Sequence, residues 1–125
     1  MVTERTTDPG VLVADDDDLV RLVIRRVLER AGHRVTEVGT VDAAIEACTA
    51  SPFSLAILDA HMPGGDLTTS IAGIRNALPD IPILIISGDN ATPAEADLPR
   101  TAFLSKPLEI ASLTTVVGLL LGALP

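Results

Sequence analysis

Aromatic residues are almost absent from this sequence of 125 residues, which contains no tryptophan, no tyrosine and two phenylalanines. Proteins that bind single-stranded nucleic acid stack bases on aromatic side chains, so the composition disfavours that function. A single cysteine, Cys48, cannot form an intramolecular disulfide and favours a reducing compartment. Because Cys48 lies on an apolar helical stripe, we interpret it as a small core residue.

Basic residues and long hydrophobic runs are also scarce. Nine Lys and Arg residues stand against 17 Asp and Glu, giving a net charge of -8, whereas binding a nucleic-acid backbone needs clustered cations. The longest uncharged tract, residues 110–125, holds 16 residues, fewer than the roughly 20 that a spanning helix needs. Residues 1–10 lack the apolar core of a signal peptide. We therefore predict no nucleic-acid binding, no membrane association and a cytoplasmic location.

What the sequence does contain is a regular alternation of short apolar runs with segments of helical spacing. Continuous runs at residues 11–14, 55–58 and 83–86 are typical of parallel strands buried on both faces. Residues 34–38 alternate between polar and apolar types, which predicts an edge strand, and residues 101–104 predict a short fifth strand.

Apolar residues at helical spacing follow each predicted strand. The fourth such segment begins with Thr92 and Glu95 as a capping pair around Pro93, but Pro99 cuts it short, so this helix should be short or irregular. Five strands and five helices in alternation predict a doubly wound parallel sheet, in the dinucleotide-binding or the flavodoxin-like order. We assign residues 1–9 to a flexible segment and residues 10–125 to one domain.

Polar residues stand where four of the predicted strands end, at the edge where open parallel sheets bind ligands. The first strand leads into Asp15 and Asp16, the third into Asp59, the fourth into Ser87 and the fifth into Lys106. Clustered carboxylates repel one another, and a hard divalent cation such as Mg²⁺ relieves the repulsion. One carboxylate could then accept a phosphoryl group while the ammonium neutralises its charge.

Four motifs carry a family resemblance: VLVADDD, LAILDAHMPGGD, ILIISG and FLSKP. In this order they resemble the receiver domain of two-component response regulators, the CheY-like superfamily, over roughly residues 10–124. The resemblance implies a flavodoxin-like fold with five parallel strands in the order 2-1-3-4-5. It also implies a phosphoprotein of phosphorelay signal transduction.

The resemblance further implies a role for each residue of the acidic cluster. Asp59 would be the phosphoacceptor, and it would share a Mg²⁺ or Mn²⁺ ion with Asp16. Asp15 would help to bind the ion largely through water. The main-chain carbonyl of His61 would complete the protein ligands.

The remaining motif residues would bind the phosphoryl group and respond to it. Ser87 and Lys106 would each contact a phosphoryl oxygen, and Pro107 would follow a cis peptide bond. Phe103 takes the position of the switch aromatic residue, which would fill the space that Ser87 leaves. The surface formed by the fourth helix, the fifth strand and the fifth helix would change as a result.

The implied partner is a sensor histidine kinase, or a phosphotransfer protein, that donates the phosphoryl group from a phosphohistidine. The domain would be a switch for a downstream effector rather than an enzyme, although it assists its own phosphorylation and dephosphorylation. The arginines of the first helix form either a solubilising face or a docking face for the kinase. Exposed side chains within residues 116–121 favour docking or a homodimer.

Three other functions are weighed against this one. A pseudo-receiver would bind a partner without phosphorylation, but all five polar residues at the strand ends are present, namely Asp15, Asp16, Asp59, Ser87 and Lys106. A phosphatase of the haloacid-dehalogenase type needs D-x-D-x-T/V, whereas residues 15–19 read DDDDL. A dinucleotide-binding domain needs G-x-G-x-x-G after the first strand, and this motif is missing. Simpler roles also exist: Asp17 or Asp18 caps a helix, and Asp59 could simply cap the end of its strand. Lys106 could be an ordinary surface lysine, although it is the only lysine.

Overall fold

Strands and helices alternate along the chain in the computed structural model, which describes residues 9–89 and 91–122. The first predicted helix begins two residues earlier than its apolar stripe, because Asp17 caps it by accepting from the main-chain N–H groups of Leu19 and Val20. The strands are β1 (Gly10–Ala14), β2 (Val35–Val38), β3 (Phe53–Asp59), β4 (Ile83–Ser87) and β5 (Thr101–Ser105). The helices are α1 (Asp18–Arg30), α2 (Val41–Ala50), α3 (Leu67–Ala77), a 3₁₀ helix (Ala94–Asp97) and α4 (Ile110–Gly122).

All five strands are parallel and lie in the order β2-β1-β3-β4-β5, which confirms the predicted flavodoxin-like fold. In register, Val13 of β1 lies between Glu37 of β2 and Ile57 of β3. The chain therefore moves to one side of β1 for β2 and to the other side for β3. This reversal opens a crevice at the carboxyl ends of β1 and β3, where sheets of this type bind ligands.

Apolar side chains of the central strands pack on both faces of the sheet, as continuous apolar runs predict. One layer joins β1, β3 and β4 to α2 and α3, and it includes Leu12, Leu58 and Cys48. The other layer joins the same strands to α1 and α4, and it includes Ile57 and Leu113. Burial raises the pKa of the Cys48 thiol to about 11, so the group stays protonated in the core, as its interpretation as a core residue requires.

The fourth predicted helix is the four-residue 3₁₀ helix, so the described residues contain four α-helices rather than five. The prediction of a short or irregular element is therefore confirmed, but the predicted Thr92–Glu95 capping pair is wrong. Pro93 occupies the N-cap position and provides no side-chain hydrogen bond. The carboxylate of Glu95 instead accepts a hydrogen bond of 2.6 Å from the hydroxyl of Thr68 in α3.

Two further predictions concern the chain ends and the membrane. The proposed flexible segment, residues 1–9, lies outside the described residues except for Pro9. Within residues 9–89 and 91–122, no helix has the length and apolar character to cross a bilayer.

Thr40 caps α2, and this local contact gives a first testable prediction. Its hydroxyl accepts a hydrogen bond of 3.1 Å from the N–H of Ala43. Thr40→Ala should lower the free energy of unfolding by about 1 kcal/mol, because a main-chain donor loses its partner. Thr40→Ser keeps the hydroxyl and should stay close to wild type in urea unfolding. Equal losses in both variants would contradict the capping role.

Candidate functional site

Three adjacent strands deliver buried polar side chains to the crevice at their carboxyl ends. Asp15 directly follows β1, Asp59 ends β3 and Ser87 ends β4. Their exposed fractions are 0%, 5% and 2%, respectively. Lys106 follows β5, and its main-chain N–H donates to the carbonyl of Ser87 at 2.7 Å, which ties the segment after β5 to the end of β4. The structure therefore brings side chains separated by up to ninety-one residues of sequence to one edge of the sheet.

Asp15, Asp16 and Asp59 form an acidic cluster. One carboxylate oxygen from each residue lies within 4.8 Å of the others, with Asp16 exposed and the other two buried. Asp15 is held in place by its own turn, because its Oδ1 accepts a hydrogen bond of 2.9 Å from the N–H of Asp17. The cluster offers carboxylate oxygen atoms as ligands, and such a donor set suits a hard divalent cation.

The ammonium group of Lys106 lies against the two buried carboxylates. Its Nζ is 3.0 Å from Asp15 Oδ2 and 3.6 Å from Asp59 Oδ1. Burial alone would lower the pKa of Lys106, but the two carboxylates outweigh this effect and raise it. Lys106 therefore carries a full positive charge and partly balances the acidic cluster.

The ionised carboxylate of Asp59 is disfavoured by its surroundings. Burial raises its pKa, and the charges of Asp15 and Asp16 act in the same direction. A hydrogen bond of 3.3 Å from the N–H of His61, together with the charge of Lys106, opposes the shift without cancelling it. Further positive charge next to Asp59 would therefore be stabilising.

A cleft of about 760 Å³ opens in front of the cluster, between α3 and the 3₁₀ helix. Asp16, His61 and Ser87 line it, together with residues of the loop after β4. The imidazole Nε2 of His61 lies 2.8 Å from Asp89 Oδ2 across this cleft. The main-chain N–H of Asp89 in turn donates to the hydroxyl of Ser87 at 3.1 Å. No spacing in the sequence pairs residues 61 and 89, so this contact could be found only from the fold.

Phe103 is half-buried on β5, where it packs against the core layer that contains Leu58 and Ile85. It lies opposite Ile85 in register, and Ser105 lies opposite Ser87. Alternate residues of a strand share a face, so Ile85 and Ser87 lie on one face of the sheet. Phe103, the neighbour of Ile85, therefore lies on the same face as Ser87, two residues away along the strand direction. The Lys106–Pro107 peptide bond is cis.

The raised pKa of Asp59 predicts that Asp59→Asn stabilises the metal-free protein. The fold disfavours the ionised carboxylate, so wild type loses stability as pH rises from the ordinary Asp pKa, about 3.9, through the raised pKa of the folded state. The gain from the substitution should grow over this range and reach on the order of 1 kcal/mol near neutrality. Urea unfolding with a chelator, at a series of pH values, measures this difference.

The control for this experiment is Asp97→Asn, since Asp97 is an exposed carboxylate on the 3₁₀ helix and does not belong to the acidic cluster. Its substitution should change stability little at any pH. A stabilisation by Asp59→Asn that shrinks as the pH rises would contradict the electrostatic interpretation.

Comparisons with known proteins agree with this geometry. A model of the response regulator receiver domain matches residues 11–118. The response regulator receiver protein CpdR of Brucella abortus is 33% identical over 116 residues, which cover 90% of this chain and 97% of that protein. The sensory/regulatory protein RpfC of Xanthomonas campestris pv. campestris is 32% identical over 87% of this chain, but the chain spans 16% of its length. A solved receiver protein from Sinorhizobium medicae has a TM-score of 0.84 and 30% identity, and the match covers 94% of this chain and 98% of that one.

Proposed function

This chain belongs to the response regulator receiver domain family, and from that premise we propose that it is a switch controlled by phosphorylation of Asp59. The observation that carries the proposal is the environment of this carboxylate. It is buried, it lies 3.6 Å from the only lysine of the chain, and it shares its site with two further carboxylates. A carboxylate that served only to end a strand would not need this combination.

The acidic cluster fits a bound Mg²⁺ or Mn²⁺ ion. Asp16, Asp59 and the main-chain carbonyl of His61 would hold the ion, and Asp15 would help largely through water, because its two oxygens already face the N–H of Asp17 and the ammonium of Lys106. When bound, the ion would neutralise charge on the phosphoryl oxygens during transfer. The raised pKa of Asp59 supports this assignment, since Lys106 does not fully offset the effects of burial and of the neighbouring carboxylates.

Phosphoryl transfer would start from a phosphohistidine of a sensor histidine kinase or a phosphotransfer protein. A carboxylate oxygen of Asp59 attacks phosphorus, and an O–P bond forms as the N–P bond to the donor histidine breaks. The histidine nitrogen takes up a proton as it leaves. Lys106 stabilises the charge on the transferred group, because its ammonium already lies beside Asp59.

Ser87 and Phe103 would convert the modification into a change of surface. The hydroxyl of Ser87 now accepts from the N–H of Asp89, and it would turn to donate to a phosphoryl oxygen. Phe103, two residues away on the same face, would move toward the space that Ser87 leaves. The surface of the 3₁₀ helix, β5 and α4 would then present a different shape to a downstream effector.

The boundaries and setting of the domain are part of the same proposal. We assign the receiver domain to residues 10–125 and place it in the cytoplasm, where a histidine kinase could reach Asp59. Its role is that of a signalling switch. A homodimer through exposed side chains of α4, of which Leu119 is 65% exposed, is one arrangement that the surface allows.

The central prediction is that Asp59 takes up one phosphoryl group. Incubation with acetyl phosphate and Mg²⁺ should give a single adduct in an intact mass spectrum, and Asp59→Asn should abolish it. Asp42→Asn, which changes an exposed carboxylate on α2, should leave the adduct unchanged. If neither acetyl phosphate nor a phosphorylated histidine kinase modifies the wild type, the chain is a pseudo-receiver.

Magnesium should also stabilise the folded protein without any phosphodonor. At a free concentration a hundred times the dissociation constant, a ligand specific to the folded state adds about 2.7 kcal/mol to the free energy of unfolding. Asp16→Asn should remove most of this increment, and Asp42→Asn should keep it. Thermal unfolding with Mg²⁺ and with a chelator measures both, and an equal shift in Asp16→Asn would contradict the assigned ligand.

A further inference from the structure

Arg21 lies in the first turn of α1, yet its side chain is only 18% exposed. It faces the loop between β1 and α1, which carries Asp15 and Asp16. Its Nη1 donates a hydrogen bond of 2.6 Å to the main-chain carbonyl oxygen of Asp15. Its Nε donates to Glu37 Oε1 at 3.1 Å, and its Nη2 contacts the carboxylate of Asp18. Asp17 caps α1, and it is Asp18 that contacts Arg21.

The contact with Asp15 occupies a position that a strand would ordinarily fill. The N–H of Asp15 donates to the carbonyl of Val38 at 3.1 Å, which is the last step of the ladder between β1 and β2. If this ladder continued by one more hydrogen bond, a main-chain N–H of β2 would donate to the carbonyl of Asp15. The strand ends at Val38, however, and the chain turns so that Thr40 can cap α2. The guanidinium of Arg21 supplies the missing donor.

Glu37 holds Arg21 in the orientation that this contact needs. This residue of β2 accepts from Arg21 through Oε1 and from Arg25 Nη1 through Oε2, at 2.7 Å. Its side chain is 25% exposed, so both ion pairs are partly shielded from water. The planar fork of a guanidinium can reach a carbonyl and a carboxylate at once, whereas a lysine ammonium is a compact charge on a flexible stem.

We propose that Arg21 is a positioning residue for the divalent cation, because it fixes the main chain at Asp15 and thereby the direction in which Asp15 and Asp16 enter the cluster. This inference rests on the proposed function, since it concerns the ion of the same site. Arg21 itself touches neither the ion nor the phosphoryl group. It acts through a main-chain contact that replaces a strand hydrogen bond.

The direction in which one substitution changes the affinity for Mg²⁺ distinguishes a positioning role from a simple effect of charge. Arg21→Met removes a positive charge near the acidic cluster. If only charge mattered, the loss of repulsion between Arg21 and the ion would tighten Mg²⁺ binding. Positioning predicts the opposite: an affinity about 10-fold weaker, the usual size of the effect when a metal ligand loses its supporting contact. Isothermal titration of the folded proteins with Mg²⁺ alone gives this affinity without any phosphodonor.

Two variants serve as comparisons. Arg26→Met makes the same change of charge on the exposed side of the same helix and should bind Mg²⁺ as tightly as wild type or slightly more tightly. Arg21→Lys keeps the charge and disturbs the helix least, so it keeps the test decisive if Arg21→Met unfolds. Its affinity should still fall, because an ammonium cannot serve Asp15 and Glu37 together.

Amide hydrogen exchange provides a second readout in the metal-free protein. The N–H of Asp17, which donates to Asp15 Oδ1, should exchange faster in both Arg21 variants, while amides of β4 should not change. Wild-type affinity for Mg²⁺ in both Arg21 variants would overturn the inference and leave phosphorylation of Asp59 intact. A wild-type protein that neither binds Mg²⁺ nor accepts a phosphoryl group would instead overturn the proposed function.

Discussion

Repulsion between buried carboxylates is the constraint on which this site depends. Asp15 and Asp59 are buried at the carboxyl ends of two central strands, where ionised groups are costly unless charge of the opposite sign is close. Lys106 supplies part of that charge from the far end of the chain, at 3.0 and 3.6 Å. The balance is incomplete, as the raised pKa of Asp59 indicates. The carboxylates therefore keep negative charge that Lys106 does not offset, and further positive charge beside Asp59 would be stabilising.

The order of the strands makes this assembly possible. Because β1 lies between β2 and β3, the connection after β1 runs to one side of the sheet and the connection after β3 to the other. The carboxyl ends that carry Asp15 and Asp59 therefore border an open crevice. Strand β2 ends at Val38, so the carbonyl of Asp15 takes its hydrogen bond from Arg21 instead of from a strand. The loop after β1 therefore borders the crevice through Asp16 and takes its support from α1 rather than from β2.

The segment between β4 and β5 departs most from a regular alternation of strands and α-helices. Pro93 and Pro99 flank a 3₁₀ helix of four residues in place of an α-helix. Glu95 ties this short element to Thr68 of α3 through a side-chain hydrogen bond. The cleft in front of the acidic cluster lies between these two elements, and both Thr68 and Glu95 line it.

Periodicity and local chemistry in the sequence determined the strands, the α-helices and the residues at the strand ends. Continuous apolar runs such as residues 83–86 favour strands that are buried on both faces of a sheet. Two prolines prevent a full helix after β4. The tertiary structure alone decided which polar groups pair around the predicted site. The pairing of His61 with Asp89, of Thr68 with Glu95 and of Arg21 with the carbonyl of Asp15 and with Glu37 depends on where loops and strands end in space. Side-chain contacts of this kind leave no periodic signal, because each joins positions whose separation along the chain is set by the fold and not by any helix or strand repeat.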